Sequence, residues 1–221
     1  TVKGLKGGHS GGDIHLGRGN ANKILNRFLM QSFERYDLCL CQIDGGNLRN
    51  AIAREASALI AIPTAHKHDI RVDLNLFAAD VANEYAVADP DLELILESEA
   101  YDGKAIDKDT TKRLLQTIYA CPHGVFAMSQ DMPGLVETST NLASVKMREG
   151  NTIVVATSQR SSVESEKYDI ANQIEALFAM AGAEPAHGEG YPGWKPNMQS
   201  AIKDIAVEAY EELFNVTPEI L

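Results

Sequence analysis

Apolar and polar positions alternate along this chain in two rhythms, one near 3.6 residues and one of 2, and their order predicts the elements. After a short opening strand, Asn20 to Arg35 reads as a helix, with Ile24, Phe28 and Leu29 on one stripe and Asn20 as its cap. YDLCLCQIDGG then alternates as a strand and ends in a glycine turn, and NLRNAIAREASALIAIP has a polar start leading into a short apolar strand stopped by Pro63. Ile70, Leu74, Phe77, Val81 and Tyr85 give Asp69 to Val87 a helical face, and beyond Pro90 DLELILESE alternates again. The order β-α-β-β-α-β is that of the ferredoxin-like unit, a four-stranded antiparallel sheet with two helices on one face.

The second half predicts a similar series. Asp109 to Tyr119 is helical through Leu114, Leu115 and Ile118, and VFAMSQ is a strand. LASVKMREGNTIVVATSQRS reads as two strands joined at Glu149-Gly150-Asn151, and Ser165 to Ala181 as a helix closed by Gly182. EPAHGEGYPGW is expected as a last, irregular strand. The halves share an order of elements and no visible sequence repeat. The fold class is therefore α+β, two ferredoxin-like halves forming an antiparallel sheet with helices on one face. The turn-rich link GYPGWKPN precedes a final helix from Asn197 to Phe214, which places a boundary near residue 194: 1–194 as one domain, 195–221 as the start of another.

Composition narrows the function. A chain of 221 residues with a formal net charge of −11 lacks the clustered Lys and Arg that nucleic acid or an anionic membrane requires, so small molecules or proteins are the expected partners. The three cysteines, Cys39, Cys41 and Cys121, lie in apolar runs, which fits reduced thiols in a cytoplasmic protein. Cys39 and Cys41 would share one strand face and pack in the core. No apolar run is long enough to span a bilayer, and there is no signal peptide. The chain starts at Thr1 in a strand and stops in the apolar run VTPEIL, so it reads as an excised piece cut at a strand on both sides.

The densest candidate chemistry is GLKGGHSGGDIHLGRGNANK, Gly4 to Lys23, in which Gly7, Gly8, Gly11 and Gly12 bracket His9 and Ser10. With so little side-chain bulk the backbone can approach a ligand, and an imidazole there can stabilise an oxyanion or grip a carboxylate. An ordinary structural hydrogen bond is the competing reading, and on residue type alone it leads. Phosphate binding has little support, because neither the GxGxxG nor the GxxxxGK[ST] spacing occurs. If the stretch were extended, His9, Gly11, Asp13 and His15 would share a face that could hold a metal.

Three other polar sites stand out. Asn50, after a glycine turn, could donate to a carbonyl; Arg160, at the end of an apolar strand, could fork onto a carboxylate; and VETSTN, Val136 to Asn141, could form a loop over a ligand. Each has an ordinary alternative, respectively a cap asparagine, a solvated strand-end charge and a plain turn. His66 and His68 in AHKHD read as solvated, and His123 and His187 as single histidines in turns. No closed zinc cluster, nucleophile elbow or informative carboxylate pair is present in the sequence.

GLKGGHSGGDIHLGRGNANK, together with CPHGV, DMPGLVETSTNLA, ATSQRSS and GYPGWKPN, closely resembles the lid region of the co-catalytic zinc peptidases, in particular the aminoacyl-histidine dipeptidases, the cytosolic Xaa-His or carnosinase-like peptidase D group. The likeness runs the length of the chain. It implies a lid, or dimerisation domain, inserted in a two-zinc catalytic domain whose first returning helix would be the final one here. By resemblance His9 would polarise the scissile carbonyl and stabilise its oxyanion, and Asn50 and Arg160 would bind the substrate's carboxylate end. The zinc ligands and the catalytic glutamate would lie in segments before and after the lid, so this chain would bind no metal and be inactive alone. The implied partners are a dipeptide, the rest of the catalytic domain and a second subunit in a homodimer. The alternatives are a purely structural dimerisation module and a ferredoxin-like domain that binds a small molecule.

Overall fold

A computed structural model describes residues 1–194, 197 and 199–218. Nine strands form in chain order: β1 (Val2–Lys3), β2 (Gly8–His9), β3 (Cys39–Gly45), β4 (Ala51–Ile52), β5 (Ala56–Ala61), β6 (Glu93–Leu94), β7 (Gly124–Met128), β8 (Val136–Arg148) and β9 (Thr152–Ser161). The helices are α1 (Ala21–Phe33), α2 (Lys67–Glu84), α3 (Lys108–Ala120), α4 (Glu164–Met180) and α5 (Ala201–Phe214).

Seven strands make one antiparallel sheet in the order β6-β1-β5-β3-β8-β7, with β9 on the other edge of β8. The first four are in the ferredoxin order. β8 joins the halves, because its C-terminal part pairs β3 through Val145 and Lys146 while its N-terminal part pairs β7 along the same edge. Helix α1 packs between α2 and α3, and α3 touches α4, so these four helices form one layer over one sheet face, as the fold class predicts.

Local chemistry explains where the helices begin and end. The Asn20 side chain accepts hydrogen bonds from Asn22 N–H (3.0 Å) and Lys23 N–H (3.4 Å) at the start of α1, and Asp107 accepts from Thr110 N–H (2.8 Å) at the start of α3. Helix α3 ends against Lys23, whose ammonium donates to the carbonyls of Ile118, Tyr119 and Cys121 at 2.7–2.8 Å. The core between helices and sheet is centred on Leu29, Leu38, Leu40, Leu115, Ile118 and Leu142, all nearly inaccessible. Truncating one such leucine to alanine costs about 2–5 kcal/mol.

Several local expectations change. A β-bulge between Leu40 and Gln42 interrupts the alternation of β3, so Cys41 is buried while Cys39 stays half-exposed, and the two do not simply share a face. VETSTN is not a loop but the first half of β8, where Thr138, Ser139, Thr140 and Asn141 are buried. The EPAHGEGYPGW segment forms no strand among its described residues, so the second half contributes three strands, β7 to β9, flanked by α3 and α4. The last helix starts at Ala201 and not Asn197, and none of its residues is buried. Residues 195 and 196 of the GYPGWKPN link lie outside the described residues, as do residue 198 and, in the C-terminal VTPEIL run, 219–221. No helix among the described residues is long and apolar enough to cross a membrane.

Candidate functional site

His9 stands at the end of β2, which pairs with β4 as a two-stranded ribbon: Gly8 lies opposite Ile52 and His9 opposite Ala51. The chain then folds back on itself. His9 N–H donates to Asp13 Oδ2 (2.7 Å), Asp13 N–H donates to the His9 carbonyl (2.9 Å), and Ile14–Leu16 forms a short 3-10 turn. The stretch from His9 to His15 is therefore not extended, and the single metal-binding face it would have presented does not form. Gly8 is required where it stands: at φ +145° an added Cβ would lie 2.6 Å from the Arg18 guanidinium and 2.7 Å from Asp13.

The imidazole is exposed, and its Nδ1 accepts hydrogen bonds from Gly11 N–H (3.3 Å) and Gly12 N–H (3.1 Å). A ring nitrogen that accepts carries no proton, so the neutral ring has its N–H at Nε2. The two glycines thus do more than reduce bulk. Their amides select the tautomer and aim one donor outward.

The chain brings Asn50 and Arg160 to the same place. The Asn50 carbonyl accepts from Ser10 N–H (2.9 Å), and its exposed side-chain amide has no hydrogen-bond partner among the described residues. Arg160, opposite Ser139 in the β8–β9 ladder, donates from Nε to Ser10 Oγ (3.4 Å) and from Nη1 to the Tyr191 hydroxyl (3.3 Å). The His9 ring, the Asn50 backbone and the Arg160 guanidinium therefore meet at Ser10, itself 1% exposed. Such a set can hold negative oxygen: the imidazole on a developing oxyanion, the guanidinium and amide on a carboxylate.

Three further residues build this place, of which the sequence marks only Asn141, as the end of VETSTN. Asn141 donates from Nδ2 to the carbonyls of Ala51 (2.8 Å) and Arg49 (3.4 Å), gripping the backbone on either side of Asn50. Its burial follows from the β2–β4 ribbon that lies against β8, which a polar run does not announce. Sequence alone marks Ser10 only as His9's neighbour and Tyr191 only as part of a turn-rich link. At the base of the loop, Arg18 donates to the Gly7 carbonyl (2.6 Å) and lies 3.7 Å from Asp13, while buried Asp89 accepts from Lys6 N–H and Gly19 N–H, each at 2.7 Å.

The remaining histidines are elsewhere. His123 Nδ1 accepts from Leu142 N–H (3.3 Å), and the Asn20 amide lies 3.4 Å from it while donating to the Leu142 carbonyl (2.8 Å). These side chains satisfy β8 where it passes from β7 to β3. Burial first, and then the Lys23 ammonium, push the His123 imidazole down to about 4. His66 is half-buried, with its ring 5.5 Å from that of Tyr36; His68 is exposed, and His187 Nε2 lies 2.7 Å from Glu175. Among the described residues no three His, Cys, Asp or Glu side chains are grouped to hold a metal ion.

Comparison with known proteins agrees along the chain. Residues 1–89 match the family model described as the peptidase dimerisation domain. Over all 221 residues the chain is 41% identical to the cytosol non-specific dipeptidase of Escherichia coli strain K12, covering 45% of that protein. It is 36% identical to the crystal structure of an aminoacylhistidine dipeptidase from Vibrio alginolyticus, with a TM-score of 0.91 over the whole chain and 45% of that one. The chain thus spans about half the length of these relatives.

Proposed function

We propose that this chain, whose residues 1–89 match the family model of the peptidase dimerisation domain, is the lid of a cytoplasmic dipeptidase and supplies donors to a peptide whose bond is broken at a centre outside it. The observation that carries this reading is the His9 tautomer. With Nδ1 occupied by Gly11 and Gly12, the outward Nε2–H donates a hydrogen bond to an oxygen that gains negative charge as the peptide bond is attacked. Asn50 and Arg160 bind the substrate's carboxylate end, with Ser10 and Tyr191 holding the guanidinium in place.

The family resemblance implies two zinc ions in the intact enzyme. By that resemblance the zinc ligands lie in segments before and after the lid, which would leave this chain inactive alone; among its described residues no three His, Cys, Asp or Glu side chains are grouped to hold a metal ion. The substrates are Xaa-His and related dipeptides, and two subunits associate through this domain. Both assignments draw support from what the relatives are called and from the family's description.

The test is His9→Ala in the full-length enzyme. Turnover falls by roughly 10²–10³-fold, as for loss of one oxyanion donor, with bound zinc unchanged. Equal loss of zinc, or full activity, would count against the role. Full activity in a variant that still sediments as a dimer would favour a purely structural dimerisation module.

A further inference from the structure

We propose that Asp89 is the positioning residue of the His9 loop, a buried carboxylate that ties the loop's two ends together and so decides where the imidazole stands; this rests on the reading of His9 as a donor to substrate oxygen. The loop leaves at Lys6 and returns at Gly19, immediately before α1. Lys6 N–H donates to Oδ1 and Gly19 N–H to Oδ2, both at 2.7 Å, so each oxygen of one side chain holds one end. Asp89 is 1% exposed and has no cationic partner among the described residues. A carboxylate is buried this deeply only where hydrogen bonds replace its water, and here both bonds come from the loop's base.

The loop is also held by Arg18, which donates to the Gly7 carbonyl (2.6 Å), and by the β2–β4 ribbon, but Asp89 alone joins the residues that precede it to those that follow it. Between Gly7 and Arg18 only Ser10 and Ile14 bury a side chain, while the glycines give the unfolded segment unusual freedom. The turn carrying Asp89 is also the floor on which the segment rests: a Cβ added to Gly4, at φ +79°, would lie 1.9 Å from the Asp91 carbonyl oxygen. Asp89 touches no substrate. It acts through the backbone that carries His9, and a carboxamide of the same size could not replace it, because its NH2 would face a second donor.

The experiment uses the full-length enzyme with Asp89→Asn, Asp89→Ser, His9→Ala and the Asp89→Asn/His9→Ala double variant, read by steady-state kinetics, bound zinc and amide hydrogen exchange. Asp89→Asn is expected to lower kcat by about 10-fold or more, since an ångström of displacement at a catalytic group can cost about 10²-fold. Bound zinc stays near that of the parent, KM rises to the extent that Ser10 of the same loop releases Arg160, and exchange quickens across residues 7–18. The double variant is no slower than His9→Ala, because the two act through one group. Asp89→Ser, which also leaves too few acceptors, shows the same pattern. Unchanged loop exchange, or losses that multiply in the double variant, would overturn the proposal. Faster loop exchange with His9→Ala fully active would instead retire the reading of His9 and leave the clamp standing.

Discussion

Two histidines in this chain bond in the same way and stand in opposite surroundings. His9 and His123 both use Nδ1 to accept backbone N–H groups, and both sit beside glycine in short turn-like motifs. His9 takes its donors from the next residues of its own loop and keeps the rest of the ring in solvent. His123 takes its donor from Leu142, nineteen residues further on in β8, and is half-buried. Where the donors come from thus separates the roles: local donors orient a ring for something that arrives, whereas distant donors make the ring part of the frame. The motif around a histidine does not contain that distinction.

The comparison breaks first on exchange of consequences. His9→Ala, expected to remove most of the turnover in the intact enzyme, should shift unfolding by less than about 0.5 kcal/mol, as for an exposed side chain outside the core. His123→Ala should do the reverse, costing about 1–3 kcal/mol by leaving the Leu142 N–H without an acceptor, which urea titration would measure. A His9→Ala protein that unfolds easily, or a His123→Ala protein as stable as the parent, would erase the contrast.

Acidity sharpens it further. His123 takes up its proton near pH 4 in the fold, against 6.5 for the unperturbed group, so between those values the unfolded chain binds more protons than the folded one. Its contribution is complete above about pH 6.5 and is lost as pH falls toward 4. Unfolding free energies at pH 7 and pH 5 should therefore differ more in the parent than in His123→Ala, the carboxylates being common to both. The smallest effect is chemical. A thiol reagent should modify half-exposed Cys39 in the native protein, while buried Cys41 and Cys121 wait for denaturant, the Cys121 thiol being pushed up to about 11 by burial.

Much of the frame was legible because it depends on short-range patterns. The stripe Ile24–Phe28–Leu29, the cap Asn20 and the stop at Pro63 act within a few residues, and α1 and β5 appear where these place them. The gathering of His9, Asn50 and Arg160 was not readable from their own surroundings, because it depends on the β2–β4 ribbon and on the register that sets Arg160 opposite Ser139. The hydroxyls of VETSTN suggested a loop since polar side chains ordinarily seek water. In β8 they find partners on β9, α4 and the ribbon instead: Thr138 bonds Ser161 and Glu166, Gln159 donates to Thr140, and Asn141 donates to Ala51. Asp89 was hidden for a similar reason, a lone acid before a proline whose partners lie more than sixty residues earlier.

The long strand β8 has a consequence for manufacture on the ribosome. β3 is complete by Gly45, yet the partner for its free side arrives only with Val145 and Lys146. Until then a growing chain carries an open strand margin and a layer of helices, α1 and α3, whose shared underside still lacks Leu142. Such an intermediate invites pairing with a neighbour's margin, so the cell must complete these last hundred residues quickly or shield what has already emerged.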